Sequence, residues 1–412
     1  MLTKYRSVLS VPGASRLFVT GLLGRLPLGT LSLAILLLVR GATHSYAAAA
    51  VAVGAEAFAS AAAAPIQGRL IDRFGRRRVL PPTVLVQGAI LLLLVLSAGA
   101  HAGTVALVVL AGLTGAFLPP ISPSVRALLR EVVHDPAVRE TAYALDSVIQ
   151  ELVWITGPLL VALVVAVGSP SAAVLVSAAI GIVGTLLFVS TPLARGRGRD
   201  VAGPERTAAL ANPELRALLI PITLTGMGLG AIEVGLPSLA LHAGSRSASG
   251  LLLALWSVGS VIGGLWYGSR AWRSSLAYRY RTLLTVAIVC SAPLIAARSI
   301  PAGLICAALA GLTIAPVFSC QYALVGRAAT GGAETEAFSW VSAALVAGLA
   351  AGSALGGAAI SAAGVSAPFV ISCAATALAA AMAVTVRDRL AQPAWGRGSA
   401  SRLIGFAPGC SR

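Results

Sequence analysis

Residues 68 to 77 read Gly68-Arg69-Leu70-Ile71-Asp72-Arg73-Phe74-Gly75-Arg76-Arg77, a knot of charge between two long apolar segments, 46–66 and 80–100. Each segment is close to the ~20 residues that a helix needs to cross the hydrocarbon core of a bilayer. The same ruler, carried outward along the chain, marks twelve spans: 16–39, 46–66, 80–100, 104–125, 141–167, 171–192, 216–241, 247–268, 282–298, 301–323, 338–362 and 366–386. Open strands are excluded, because lipid offers backbone N–H and C=O groups no partners and a helix satisfies its own. The expected fold is all-α and polytopic.

Composition agrees. Hydrophobic residues make up 57% of the 412 residues and charged residues 11%, with a mean hydropathy of +0.89. A soluble domain carries roughly a quarter of its residues charged, so this surface faces lipid. A net charge of +16 points, in a soluble protein, to nucleic acid. Here the arginines fall in short clusters between apolar spans and form no aromatic-interleaved basic face, which excludes that partner.

The clusters orient the chain instead, since positive loops stay inside. One side holds Lys4, Arg6, Arg16, the 69–78 cluster, Arg126, Arg130, Arg139, the 195–216 segment, the 270–281 loop, Arg327 and the tail. The other holds only Arg40, Arg246 and Arg298. Both termini are expected in the cytoplasm. The first span is too long for a cleavable signal and is expected to remain as an anchor. Lys4 is the only lysine beside 29 arginines, a bias of GC-rich bacterial genomes that points to a bacterial inner membrane.

A segment with Arg195-Gly196-Arg197-Gly198-Arg199, Pro204 and Pro213 divides the chain. The expected organisation is a six-helix half at 1–192, a cytoplasmic linker at 193–215, a second six-helix half at 216–390 and a tail at 391–412. The halves read as repeats. Leu110-Ala111-Gly112-Leu113-Thr114 recurs at Leu309 to Thr313, Thr141-Ala142-Tyr143 resembles Glu336-Ala337-Phe338, and Gly157 falls opposite Gly352.

The run at 68–77 fits G-x-x-x-D-R-x-G-R-R, and through it the chain resembles the major facilitator superfamily of transporters. The resemblance covers the whole chain in architecture, though only this run is specific. It implies twelve helices in two pseudo-symmetric bundles, with the first, fourth, seventh and tenth helices lining a cavity. It also implies that Asp72 meets the start of the eleventh helix and locks the halves in the outward-facing state. Gly68 and Gly75 allow a tight turn and close helix approach, and Arg73, Arg76 and Arg77 anchor the loop at the anionic inner leaflet. The bland alternative is a loop that merely sets topology. The matching loop of the second half, Gly268 to Arg281, is basic but lacks the aspartate.

Gly157-Pro158 resembles the end of the antiporter signature G-x8-G-x3-G-P-x2-G-G, whose other glycines are replaced by Ala144, Val153, Val161 and Ala162. The eleventh span carries that spacing better, as Gly348, Gly352, Gly356 and Gly357, with Ser353 in place of proline. Plain helix packing explains small residues four apart equally well.

Arg25, Glu56, Asp146, Glu151 and Glu233 fall inside spans. Each costs ~2.5–3.5 kcal/mol at a helix centre, so each needs a partner or water. Arg25, Glu56, Glu151 and Glu233 are the candidates for proton coupling or substrate binding, with Arg25 expected beside Glu56 or Glu151. Asp146, nearer a helix end, reads as interfacial. Pro119, Pro120, Pro123 and Pro316 bend their helices. His44, His101, His134 and His242 fall at span ends or in loops and receive no role.

With no other lysine, no G-x-x-x-x-G-K-[ST] phosphate loop exists, which excludes ATP-driven transport by this chain. The five cysteines, Cys290, Cys306, Cys320, Cys373 and Cys410, form no C-x-x-C pair. No metal, cofactor or catalytic constellation is expected. The reading is a secondary transporter, a monomer in the bilayer, exporting small molecules against protons. An importer or facilitator of the same fold is the alternative, and a non-transporting receptor or scaffold the third.

Overall fold

A computed structural model describes residues 2–195, 208–245, 247–329 and 332–390. Most of the expected linker, Arg246 and the expected tail lie outside the described residues. A short helix, Leu2–Leu9, precedes twelve long ones. These are α1 (Ala14–Thr43), α2 (Tyr46–Phe74), α3 (Arg76–Gly99), α4 (Thr104–Val132), α5 (Pro136–Val167) and α6 (Pro170–Ser190) in the first half. The second half has α7 (Pro213–His242), α8 (Ala248–Ser269), α9 (Leu276–Ala296), α10 (Ile300–Ala328), α11 (Glu334–Ala363) and α12 (Ala367–Leu390). The first eleven are long and apolar enough to cross a membrane, and α12 is apolar over Ala367–Ala383.

Several helix starts follow cap chemistry rather than hydropathy. The side chains of Asp135, Ser169 and Asn212 each accept a backbone N–H of the first turn, and each precedes a proline at the first helical position. Such caps offer the orphan donors a partner, and proline there loses nothing. This is why α5 begins at Pro136, a polar turn before the expected 141. Breaks are equally local: α4 is interrupted at 117–120, where Pro119 and Pro120 supply no donor, and α10 at Leu312-Thr313.

The two halves pack alike. Contacts α1–α6, α2–α4, α1–α5 and α3–α6 recur as α7–α12, α8–α10, α7–α11 and α9–α12. Between halves, α2 packs on α11 and α5 on α8, with α4–α11 and α5–α10 beside them. The apolar core is divided unevenly. At the arginine-rich end one cluster joins both halves, with Ile71, Leu128, Tyr143, Tyr267, Tyr322 and Phe338 among its members. At the opposite end each half keeps its own cluster, one around Ile35, Leu94 and Val161, the other around Leu236, Leu294 and Phe369. The halves are joined at the arginine-rich end and part toward the other.

Candidate functional site

The charged knot is not a loop. Residues 68–74 are the last turns of α2, and Gly75 alone separates them from α3, at φ 87°. The expected turn role therefore belongs to Gly75, and Gly68 serves close approach. A Cβ on Gly68 would stand 2.6 Å from Ser339 Oγ and 2.9 Å from Glu336 Cα, so its absence lets α2 press onto α11. One turn later Asp72 reaches the open end of α11, where Ala333 provides no side-chain cap. Asp72 Oδ1 accepts the Thr335 N–H at 3.1 Å and Oδ2 the Glu336 N–H at 2.8 Å. A carboxylate there meets both unsatisfied donors and the positive end of the helix dipole. Arg76 binds Glu131 through two bonds, at 2.6 and 3.2 Å, and Arg130 of α4 binds Glu334 of α11 at 2.5 Å. Arg73 lies over the Phe74 ring, and Arg77 is exposed.

The second half closes by other chemistry. Gly268 approaches α5 as Gly68 approaches α11, meeting Ala144 and Tyr5. Trp272 stands where the aspartate would, stacked on Tyr267. The ionic clasp moves to Glu140 of α5, bound at 2.8 and 3.1 Å by Arg279 of α9, with Arg327 of α10 at 3.9 Å. The N-terminal helix lies across the same junction: Tyr5 donates to the Leu265 carbonyl at 2.8 Å and Lys4 to that of Arg270 at 3.0 Å. Burial pushes the Tyr5 phenol up to about 12, so it stays a neutral donor.

Within the bundle the expected partnership of Arg25 is corrected. Arg25 pairs with Asp146, Nη2 to Oδ1 at 2.6 Å, and with neither Glu56 nor Glu151. Asp146 is not interfacial, since it is 0% exposed and binds Arg126 as well, at 2.8 Å. Arg126, counted as a loop charge, is 3% exposed and stacks 3.7 Å from the centroid of Tyr322, on α10. Sequence reasoning missed this cluster. Its available signal was the arginine within apolar Ile121–Leu129, downstream of the α4 break.

The three glutamates separate. Glu56 is buried and accepts from Ser32 of α1 at 3.4 Å. Glu151 is buried and lies beside Ser260 of α8, across the halves. Glu233 is exposed. On α7, Gly226 and Gly230 face α11 while Leu229 and Ile232 face Trp256 of α8 and Ile314 of α10. Helical phase puts Glu233 between these faces, toward the cleft. Gly29 is crowded by Val153 and Gly157 of α5 as Gly230 is by Leu349 and Ser353 of α11. With Gly157 opposite Gly352, Gly29 corresponds to Met227, so Ser32 falls opposite Gly230 and Glu233 comes about one turn farther on.

The glycine spacings are helix contacts. Gly348, Gly352 and Gly356 meet Thr223, Met227 and Ala231 of α7, and Gly157 meets Gly29. Gly357 touches nothing within 4 Å of where a Cβ would be, so the packing role expected of it fails. α5 runs unbroken through Pro158 to Val167. Among the described residues no group of three or more His, Cys, Asp or Glu could hold a metal ion.

The structure is similar to transporters of low sequence identity. A bacterial homologue of the iron transporter ferroportin, in its outward-facing state, is 15% identical, with 91% of this chain and 99% of that one covered and a TM-score of 0.76. The human organic anion transporter MFSD10 is 18% identical, covering 90% and 99%, with a TM-score of 0.70. The E. coli fucose:proton symporter FucP is 14% identical, covering 92% and 99%, at 0.69. No curated protein matches by sequence. The profile of the Major Facilitator Superfamily matches residues 17–277, well over half of the chain, and the chain belongs to that family of transporters.

Proposed function

We propose that the protein exports small molecules across a bacterial inner membrane in exchange for protons, as a monomer with both termini in the cytoplasm. The observation that carries this reading is the pairing of a clasped end with an open one. With the arginine-rich end cytoplasmic, as the positive-inside rule requires, this is an outward-facing state. Among the described residues the ionic and capping contacts between halves, from Asp72, Arg130 and Glu140, belong to the closed cytoplasmic end and must break for the opposite state to form.

Proton exchange needs a carboxyl whose surroundings change with that movement. Glu151 lies beside Ser260 across the halves, so parting them changes its surroundings. Glu233 faces the open cleft, and Glu56 is held within the first half. The cargo named for each structural neighbour belongs to that neighbour. No cofactor and no enzymatic step enter the cycle.

The test uses everted vesicles acidified by respiration and compounds that raise the melting temperature of the purified protein. A cargo should release protons from the vesicle lumen and restore a quenched pH dye. In a background without native cysteines, oxidation of Ser147→Cys/Ser319→Cys, whose hydroxyls stand 3.3 Å apart across the halves, should stop this, and reduction should restore it. Stabilising compounds that never dissipate the gradient would sink the proton-exchange reading. Exchange that continues through the oxidised pair would sink alternating access.

A further inference from the structure

Arg25, Arg126 and Asp146 form a cluster closed off from solvent, two guanidiniums against one carboxylate. It carries a surplus positive charge inside the bundle. Asp146 divides its oxygens, one to each arginine. Arg126 has a second partner in the Tyr322 ring. Arg25 has none: its Nε and Nη1 are buried and reach no acceptor among the described residues. Among the described residues neither buried glutamate pairs with the cluster: Glu56 accepts from Ser32, two turns along α1, and Glu151 lies beside Ser260 of α8.

A buried, uncompensated charge with two orphaned donors is costly. A static structural pair would need only one arginine for Asp146. Asp146 engages Arg25 through one nitrogen, which leaves the planar fork able to take a second oxyanion. Tyr322 belongs to the other half, so parting the halves at the arginine-rich end lifts the ring from Arg126 and opens the cluster toward that side.

Resting on the transport reading above, we infer that Arg25 anchors the cargo site and that the cargo is a small organic anion. Its carboxylate, sulfonate or phosphate takes the two free N–H groups of Arg25, and Arg126 adds charge. Loading occurs at the arginine-rich end. There the anion balances the surplus charge before the cluster is buried again.

Thermal unfolding of the purified protein tests this with benzoate, benzenesulfonate and phenyl phosphate, against neutral benzamide and cationic benzylamine. At least one of the anions should raise the melting temperature saturably, by about 2–4 °C, and the other two compounds should not. Arg25→Gln should abolish the shift, and Arg25→Lys, a point charge without a fork, should weaken it. Arg25→Gln should also fold, because Asp146 keeps Arg126 and the cluster becomes neutral. No shift with any anion, an equal shift with benzamide, or a full shift in Arg25→Gln overturns the inference. Should Arg25→Gln fail to accumulate, the anions against benzamide on the wild-type protein still decide. Vesicle exchange and the cysteine lock are measured with Arg25 in place and assume nothing about the charge of the cargo. Success there with no anion effect would leave the exporter standing and remove the anion.

Discussion

Asp72→Asn should open the arginine-rich end. Asp72 accepts two backbone N–H bonds from α11, at 3.1 and 2.8 Å. Hydrogen bonds to a charged group contribute about 1.5–3 kcal/mol each. An anion at a helix N-terminus contributes a further ~0.3–1 kcal/mol in ordinary settings. Asparagine keeps one oxygen, so one bond is lost and the other loses its charge, for a net cost of about 2–3 kcal/mol. Both partners lie in the other half, so the cost falls on the closed state alone. At ~1.4 kcal/mol per factor of ten, the open population should rise roughly 30- to 150-fold.

The readout is alkylation of Ser147→Cys by an impermeant thiol reagent added at the arginine-rich side, in a background without native cysteines. Ser147 is buried against Ser319 of the other half, so its labelling rate follows the open population. Asp72→Asn should raise that rate by the stated factor while inserting normally, and should slow transport by weakening one end state. Arg77→Gln, at an exposed position two residues beyond the turn, should leave the rate unchanged. An unchanged rate in Asp72→Asn at equal protein level would mean that the knot only sets topology.

Gly352→Ala should lower stability by about 1–3 kcal/mol through overpacking, because its Cβ would overlap the Met227 carbonyl, whereas Gly357→Ala, in open space, should not; melting temperatures of the pair compare them directly. Glu56→Gln, Glu151→Gln and Glu233→Gln should identify the proton carrier, since glutamine there abolishes uphill transport yet permits downhill exchange. If all three variants still concentrate cargo in response to a pH gradient, coupling through these residues is wrong. A periplasm-active reporter should signal when fused after residue 43 or 245 and stay silent after 205, and the reverse pattern would invert the orientation.

Length was legible in the sequence, and depth and direction were not. The apolar lengths yielded the helices. A ruler of 1.5 Å per residue set Arg25 level with Glu56 and Glu151, whereas Glu56 sits beside Ser32, two turns along α1, and Arg25 meets Asp146. Each residue, however, turns a helix by about 100°, so choosing between Glu56, Glu151 and Asp146 as the partner of Arg25 needs a facing that no single span contains. Charge was also read as a marker of loops. That reading fails where a helix continues past the apolar stretch, as α2 does through Asp72, or restarts after a break, as α4 does before Arg126.

The missing direction is partly encoded in glycines, because a backbone without Cβ is where another helix comes closest. Gly348, Gly352 and Gly356 mark one face of α11, and the residues they meet on α7, Thr223, Met227 and Ala231, share the same spacing of four. Gly226 and Gly230 extend that contact around α7, and Glu233 lies just beyond its edge. In the first half Gly29 does the same for Ser32. Through their partners Gly157 and Gly352, Gly29 corresponds to Met227 and Ser32 to Gly230, so the exposed acid Glu233 lies about one turn beyond the place of Ser32. The same match sets Arg25 opposite Thr223, which has no charge to offer. The surplus positive charge therefore has no counterpart in the second half, and a binding site built on it must be asymmetric.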